Sequence, residues 1–347
     1  MAQVVTFGCR INAFESEAMK EKLSRYPDLI VVNTCAVTSE AERQCRQMIR
    51  KLKKQNPASK IIITGCSAQL HPDSFLKMSE VDLVLGNLEK ENIEKYVQNI
   101  TNDKLHISDV MKAQHIDSYM IKGFVGRQKA FVAVQQGCNH RCTYCIVPYA
   151  RGKNRSMSIS KVLEQVNLLN AEGYRKICLT GIDLCSYQYG LSNLVRALLD
   201  GAPDLKELSF GSLDPAAVDD DFIKLIEQNK KIAPHFHLSI QSGDNSVLRR
   251  MGRRHTREDV ISLCSKIRTA RHDATFGADF ICGFPTETDE AFENTCKLVD
   301  EAGINKLHVF PYSEREGTPA AQMEQIAVSV RRARAKKLRA IGEKTNG

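Results

Sequence analysis

No stretch of this 347-residue sequence approaches the ~18 uninterrupted apolar residues that cross a bilayer, so no membrane partner is expected. The N-terminus, Met1-Ala2-Gln3-Val4-Val5-Thr6-Phe7, lacks the charged segment and apolar core of a secretion signal, and a cytoplasmic location is the expectation that follows. In that compartment the twelve cysteines do not read as a disulfide framework. They read as thiols kept reduced, either for metal or as small buried hydrophobes. Also missing is a second C-x2-C or Cys/His half near the densest cysteine group, which a zinc site usually needs.

That group is Cys138-Asn-His-Arg-Cys142-Thr-Tyr-Cys145, a C-x3-C-x2-C run that offers three thiolates from one loop. A cubic 4Fe–4S cluster takes four ligands. Three cysteines therefore leave one iron open to a small molecule, as a catalytic zinc site keeps one position open. An open iron points to catalysis rather than to electron storage.

Over the first hundred residues short apolar runs alternate with helix-like stretches: Val4 to Phe7, Leu29 to Val32, Lys60 to Thr64 and Asp82 to Leu85. Such a βαβ pattern predicts a parallel sheet. Gly8-Cys9, Thr34-Cys35 and Gly65-Cys66 each follow one of these strands directly. In an open α/β sheet, ligands bind beyond the carboxyl ends of the strands, so Cys9, Cys35 and Cys66 are expected to converge on a second three-cysteine metal site. The alternative is three unrelated buried thiols. Cys45, Cys178, Cys185, Cys264, Cys282 and Cys296 show no such placement and read as small core residues.

A polar stretch from about Asn99 to Gln128 reads as an interdomain connection, which divides the chain into 1–115, a linker at 116–128, and 129–347. Strand-like runs return at Phe131 to Gln136, Lys176 to Thr180, Glu207 to Phe210, His235 to Ile240, Thr275 to Ile281 and Lys306 to Phe310, with helical stretches between. Six βα units suit a partial (β/α)6 TIM-type barrel with its site at the C-terminal ends of the strands. The C-x3-C-x2-C loop follows the first of them.

The spacing of Cys138, Cys142 and Cys145 resembles the signature of the radical S-adenosylmethionine (SAM) superfamily, and both domains together resemble the radical SAM methylthiotransferases. The likeness rests on the two cysteine sets and on Gly137 through Gly152 (GCNHRCTYCIVPYARG), Leu179-Thr180-Gly181, His237 through Gly243 (HLSIQSG) and Gly277 through Thr288 (GADFICGFPTET). It implies an open parallel βαβ sheet domain holding an auxiliary cluster, then a partial radical SAM barrel. The implied cofactors are two 4Fe–4S clusters and SAM. Cys9, Cys35 and Cys66 match the auxiliary set, and Cys138, Cys142 and Cys145 match the radical SAM set.

Within the family, Thr6 through Ser16 (TFGCRINAFES), Asn33 through Thr38 (NTCAVT) and His308 through Ala320 (HVFPYSEREGTPA) look most like the tRNA enzymes that act on N6-threonylcarbamoyladenosine. The resemblance implies methylthio insertion at C2 of that base beside the anticodon. One SAM is cleaved to a 5′-deoxyadenosyl radical that takes the C2 hydrogen, and sulfur methylated by another SAM is inserted, the protein supplying placement and exclusion of water. It also implies the tRNA anticodon loop and an electron donor such as flavodoxin or ferredoxin as partners, with the chain acting as a monomer. Rival readings are isopentenyladenosine tRNA, a ribosomal protein aspartate, or a non-enzymatic iron–sulfur carrier or RNA-binding sensor. The carrier requires a fourth cysteine, such as Cys185 or Cys282, on a cluster.

Position at strand ends nominates Thr180, Gly181, Ser212, Gln241, Ser242 and Gly283 as SAM contacts, with ordinary turn chemistry as the alternative for each. Tyr144 either shields the cofactor or is an exposed loop aromatic. The formal charge of +8 agrees with a polyanionic partner. Of three basic clusters, Arg249, Arg250, Arg253 and Arg254 follow a barrel strand and are the expected anticodon-loop contact, since an unstacked loop presents its bases without opening a duplex. A second runs from Arg43 to Lys54. The third, Arg331 to Arg339, reads as a solvated helix face.

The family usually ends in a small β-rich RNA-binding (TRAM) domain. Here the sequence stops at Lys344-Thr345-Asn346-Gly347, so no C-terminal TRAM domain is expected within it. Thr286 stands where the family often has glycine, and Ser239 is a second small departure.

Overall fold

Leu29–Thr34 is buried along its whole length and Lys60–Gly65 nearly so, which only strands covered on both faces can be. In the computed structural model, which describes residues 2–98, 100, 103–116 and 120–344, they are β2 and β3 of a five-stranded parallel sheet. Its strands run in sequence order: β1 (Gln3–Thr6), β2, β3, β4 (Leu83–Leu85) and β5 (Leu105–His106). Alternation along β2 and β3 splits the core in two. Ile30, Val32, Ile61 and Ile63 face Ile49 and Leu52 of the helix Ser39–Gln55. Val31 and Ile62 face Met19 and Leu23 around the helix Arg10–Lys22. The chain divides into two compact units, residues 1–139 with 146–174 and residues 140–145 with 175–347.

The first unit also holds β6 (Lys129–Gln136), which pairs antiparallel with the two-residue β7 (Arg155–Ser156). The polar stretch expected as a connection falls partly on residues 99, 101, 102 and 117–119, which lie outside the described residues. Much of its described part is exposed, Val125 to 85%, but two of its residues are anchored in the fold. Ile121 is fully buried and exchanges two 2.8 Å hydrogen bonds with the side chain of Gln165, and Phe124 exchanges two with the hydroxyl of Tyr174.

In the second unit β8 (Lys176–Gly181) pairs in parallel with β9 (Glu207–Phe210). A four-stranded parallel sheet follows in the order β10 (Ser212–Leu213), β11 (His235–Gln241), β12 (Thr275–Cys282), β13 (Lys306–Pro311). One face of these strands is covered by helices. Phe210 packs on Phe222 of Asp220–Gln228, the Arg268 guanidinium of Arg257–Ala270 lies over Phe276, and Gly342 lets Val328–Lys344 come close to Leu307. The expected fold class is observed, and all six expected barrel strands form, each within about two residues of its expected ends. Among the described residues no helix is long and apolar enough to cross a membrane.

Candidate active site

Cys9 sits at the start of the helix after β1, Cys35 follows β2, and Cys66 opens the short helix Cys66–Leu70 after β3. Because Thr6, Asn33 and Thr64 are register partners on neighbouring parallel strands, the three cysteines leave the sheet at one edge. Two glycines make the approach possible. Gly8 and Gly65 have φ of +97° and +96°, a region that favours glycine. A Cβ on Gly8 would lie 2.9 Å from both Cβ and Sγ of Cys35, and one on Gly65 would lie 2.5 Å from the Thr34 carbonyl oxygen. Burial pushes the Cys35 thiol up to about 12, the neighbouring Cys66 adding to the effect, so this sulfur is poised as a proton-bearing thiol until a metal takes the proton's place.

Behind Cys66 lies a buried ionic group. Arg151 Nε donates to Cys66 Sγ at 3.1 Å, and its two terminal nitrogens bond both carboxylate oxygens of Glu15. They also reach Asn12 Oδ1 at 2.5 Å and Gln136 Oε1 at 3.0 Å. Lys90 Nζ sits 2.5 Å from Glu15 Oε2 and 2.7 Å from Asn87 Oδ1. Burial alone would raise Glu15, yet Arg151 and Lys90 prevail and hold its carboxyl down at about 2. Asn12 ties the same group to the strand ends, donating to the carbonyls of Phe7 and Thr34. The hydrogen-bonded set carries two cations and one carboxylate. Thiolate ligands beside it supply the missing negative charge, so the donor set fits a metal cluster at Cys9, Cys35 and Cys66.

The second cysteine set is built differently in each unit. In the first, the Cys138 N–H donates to the Gly152 carbonyl at 3.0 Å, which brings the two ends of Gly137–Gly152 together. Both glycines are forced, with φ of +69° and +75°. Their Cβ atoms would lie 2.0 Å from the Lys153 oxygen and 2.1 Å from the Val110 oxygen. In the second unit, Thr143 is held on both sides. It bonds the carbonyls of Met251 and Arg250 and receives the N–H of Ala320, while the Cys145 N–H returns to the Cys142 carbonyl at 2.9 Å. Tyr144 is half-buried against Val247, Met251 and Phe284, which settles it as a packed residue rather than an exposed one. Arg253 Nη1 lies 3.6 Å from Cys142 Sγ, and its Nη2 donates to Asp214 at 3.1 Å and to the Ser239 carbonyl at 2.7 Å. A fixed cation is thus aimed at a sulfur that an iron ligand must carry as thiolate.

A family model described as "Radical SAM superfamily" matches residues 132–299, and one described as "Uncharacterized protein family UPF0004" matches residues 1–86. A protein of Rickettsia prowazekii named threonylcarbamoyladenosine tRNA methylthiotransferase MtaB is 47% identical over 98% of this chain and 82% of its own length. One of the same name from Bacillus subtilis is 34% identical over 97% and 79%. The chain belongs to the radical SAM methylthiotransferases, in the threonylcarbamoyladenosine tRNA branch. A protein of Oceanobacillus iheyensis named tRNA-2-methylthio-N(6)-dimethylallyladenosine synthase is 35% identical over 91% of the chain and 65% of its own length. Among solved structures, a radical SAM methyltransferase from Kitasatospora setae, TsrM, has the same fold, with a TM-score of 0.70 at 14% identity over 92% of this chain and 76% of that one.

For a radical SAM tRNA methylthiotransferase the cofactors are 4Fe–4S clusters and SAM, and six cysteines in two sets of three match that need. The other six behave as expected of core residues: Cys45, Cys178, Cys264, Cys282 and Cys296 are buried, and Cys185 is half-buried with its sulfur accepting the Asp214 N–H at 3.3 Å. Cys282 lies on the helix-facing side of β12, where Cys296 is its neighbour, so it is not a fourth ligand of the loop cluster.

Methylthiotransferase SAM contacts nominated from strand ends divide into two groups. Thr180 and Gly181 close β8, Ser212 follows β9 and opens β10, and Gln241 closes β11, with Thr180 buried and the other three half-buried. Gln241 is unusual in holding a left-handed φ of +76°, where β11 slips register against β12. Ser242 and Gly283 are instead engaged within the fold. Ser242 is fully buried and its hydroxyl is used locally, accepting the Asp244 N–H at 3.2 Å beside Thr295. The Gly283 N–H is taken by Glu287 at 2.8 Å, and a Cβ there would lie 2.5 Å from the Arg331 side chain.

The arginines divide likewise. Arg249 and Arg250 are exposed, and Arg254 is partly exposed with an ion pair to Asp214. Arg253 is not a surface cation: its side chain is 8% exposed and committed to Asp214. The third basic cluster is not a solvated face throughout. Arg331 is buried over the Tyr312 ring, and Arg334 is buried against Glu287 and Asp289. Sequence reasoning assigned no role to Asn12, Glu15, Lys90 or Arg151. A signal was present, since Asn12 and Glu15 recur three and six residues after Cys9, and Arg151 closes the Gly137–Gly152 string.

Proposed function

We propose that this chain forms 2-methylthio-N6-threonylcarbamoyladenosine by inserting a methylthio group at C2 of N6-threonylcarbamoyladenosine beside the tRNA anticodon. The observation that carries the reading is the 47% identity, over nearly the whole chain, to a relative named for that substrate. Two clusters serve it, one on Cys9, Cys35 and Cys66 and one on Cys138, Cys142 and Cys145. When bound, the clusters and SAM supply a carbon radical and a transferable sulfur. The protein's share is placement: Gly8 and Gly65 let the auxiliary thiols close up, Arg151 orients Cys66, and Arg253 orients Cys142. Thr180, Gly181, Ser212 and Gln241 stand to hold SAM.

Arg249, Arg250 and Arg254 meet the phosphates of the loop, so neutralising Arg249 and Arg250 weakens tRNA binding across sequences and flattens its salt dependence by about two units of slope. The enzyme works as a cytoplasmic monomer fed by a flavodoxin- or ferredoxin-type donor. A second reading, isopentenyladenosine tRNA, draws on the 35% identity to the Oceanobacillus protein. Nucleoside mass spectrometry decides between them. After anaerobic incubation of each tRNA with reconstituted protein, SAM, sulfide and reductant, a methylthio mass gain on threonylcarbamoyladenosine, absent with Cys142→Ala, supports the proposal. A gain only on isopentenyladenosine transfers the assignment, and SAM cleavage with no modified nucleoside overturns both.

A further inference from the structure

Barrel interiors are normally filled with branched apolar side chains. The face of the β10–β13 sheet turned away from its helices is not. There Ser212, His237, Asp279 and His308 form a polar row across four adjacent strands: Ser212 and His237 are register partners, and so are Asp279 and His308. His237 Nε2 lies 2.9 Å and His308 Nδ1 3.4 Å from the same Asp279 oxygen, and Ser212 Oγ lies 3.3 Å from the other. The two imidazole rings are 4.6 Å apart. Gly277 makes the room, because a Cβ there would lie 2.7 Å from His237 Nδ1.

The row opens outward along β13, the edge strand of the sheet. The His308 side chain is 42% exposed, and Phe310, two residues on and so on the same face, is 43% exposed. An exposed aromatic beside fixed polar groups is how unstacked bases are received, the ring stacking and the polar atoms reading the edge. Burial would raise Asp279, but His237 and His308 together hold its carboxyl well below the usual range. It remains an acceptor at Nδ1 of His308. With His308 Nδ1 turned to Asp279, its Nε2 lies on the other side of the ring, where an anion can be received.

We propose that the β13 end of this row, at the opposite edge of the sheet from Ser212, receives the target nucleoside, Phe310 stacking on the purine and His308 reading the carboxylate of its N6-threonylcarbamoyl group. The inference rests on the proposed substrate and names the residue that selects it. An isopentenyl substituent has no carboxylate to offer, so His308 is a specificity residue and not a general part of the chemistry.

The test uses reconstituted holoenzyme and two anticodon stem-loops, one carrying N6-threonylcarbamoyladenosine and one its neutral carboxamide. The wild type is expected to favour the carboxylate by about tenfold or more in kcat/KM, the worth of one hydrogen bond to a charged group. His308→Gln should collapse that preference to near unity by raising KM for the carboxylate substrate, while Phe310→Ala raises KM for both alike. Circular dichroism and iron content report that each variant is folded and loaded. A preference that survives His308→Gln overturns the inference. So does one divalent ion per wild-type chain beyond the cluster iron that is lost with His308→Gln, since the row would then be a cation site. If the wild type modifies neither stem-loop, the proposed function fails, and fluorescence anisotropy decides the inference by itself: a carboxylate preference in Kd that His308→Gln removes upholds it, and equal Kd values in the wild type overturn it.

Discussion

Replacing Glu15 with glutamine keeps the shape of the buried group behind Cys66 and removes its only carboxylate. Arg151 and Lys90 then remain as two buried cations bonded to a neutral amide. Two routes give the size of the loss. The carboxyl is held at about 2 against an ordinary 4.5, and at 1.36 kcal/mol per unit that is about 3 kcal/mol of stability near neutral pH. Breaking a buried ion pair by removing one partner costs about 3–5 kcal/mol. They agree, and both are a large part of the 5–15 kcal/mol typical of a domain. Urea unfolding of the cluster-free protein, followed by circular dichroism, should show Glu15→Gln about 3 kcal/mol weaker at pH 7. Because the folded value lies below the unfolded one, the unfolded chain binds more protons between them, so the stabilisation is complete above about 4.5 and fades as pH falls toward 2. The gap between wild type and variant should therefore hold from pH 7 to 5 and close below. A gap under 1 kcal/mol at neutral pH, or one that widens on acidification, refutes the reasoning.

Gly152→Ala drives a Cβ to 2.1 Å from the Val110 oxygen at φ +75°, so the Cys138 loop must shift, and one cluster's worth of iron should be lost on reconstitution while the auxiliary site still loads. Asp214→Asn strips Arg253 of its carboxylate at a site where both side chains are 8% exposed; a loss of about 3 kcal/mol should lower the unfolding midpoint by about 8 °C and slow reductive SAM cleavage, read by 5′-deoxyadenosine yield. Thr286 holds φ +68°, which a β-branched residue adopts at a cost of about 1–2 kcal/mol, so Thr286→Gly should stabilise by about 0.5 kcal/mol after glycine's entropy is subtracted, measured as a rise in urea midpoint.

What the sequence disclosed and what it concealed follow from range. Runs such as Leu29 to Val32 and Lys60 to Thr64 carry their own strand signal in β-branched residues, and a cysteine directly after each needs only strand parallelism to reach its neighbours. Two-residue strands such as β5, β7 and β10 are too short to show a period. The polar stretch before β6 hid Ile121 and Phe124, whose burial depends on Gln165 and Tyr174 some forty to fifty residues later. Buried charges were the hardest. Glu15, Lys90 and Arg151 look like surface residues until 136 residues of intervening chain are folded away. Arg331 and Arg334 did leave a trace: with Ala335 and Leu338 they occupy positions i, i+3, i+4 and i+7, the inward stripe of their helix.

The two cysteine sets share a construction that neither motif spells out. In each, a buried carboxylate grips an arginine that turns another nitrogen toward the sulfur of a proposed ligand: Glu15 and Arg151 at Cys66, Asp214 and Arg253 at Cys142. Arginine suits the position because its planar fork fixes several donors at once and keeps its charge when buried. One edge is spent on the carboxylate, which sets the plane, and the rest of the plane then aims an N–H at sulfur. A lysine ammonium in the same place could satisfy the carboxylate or the sulfur, but its single nitrogen on a flexible stem would not hold a direction between them. Lys90, which bonds Glu15 and Asn87 and is placed on no sulfur, marks the difference: it neutralises, while Arg151 orients.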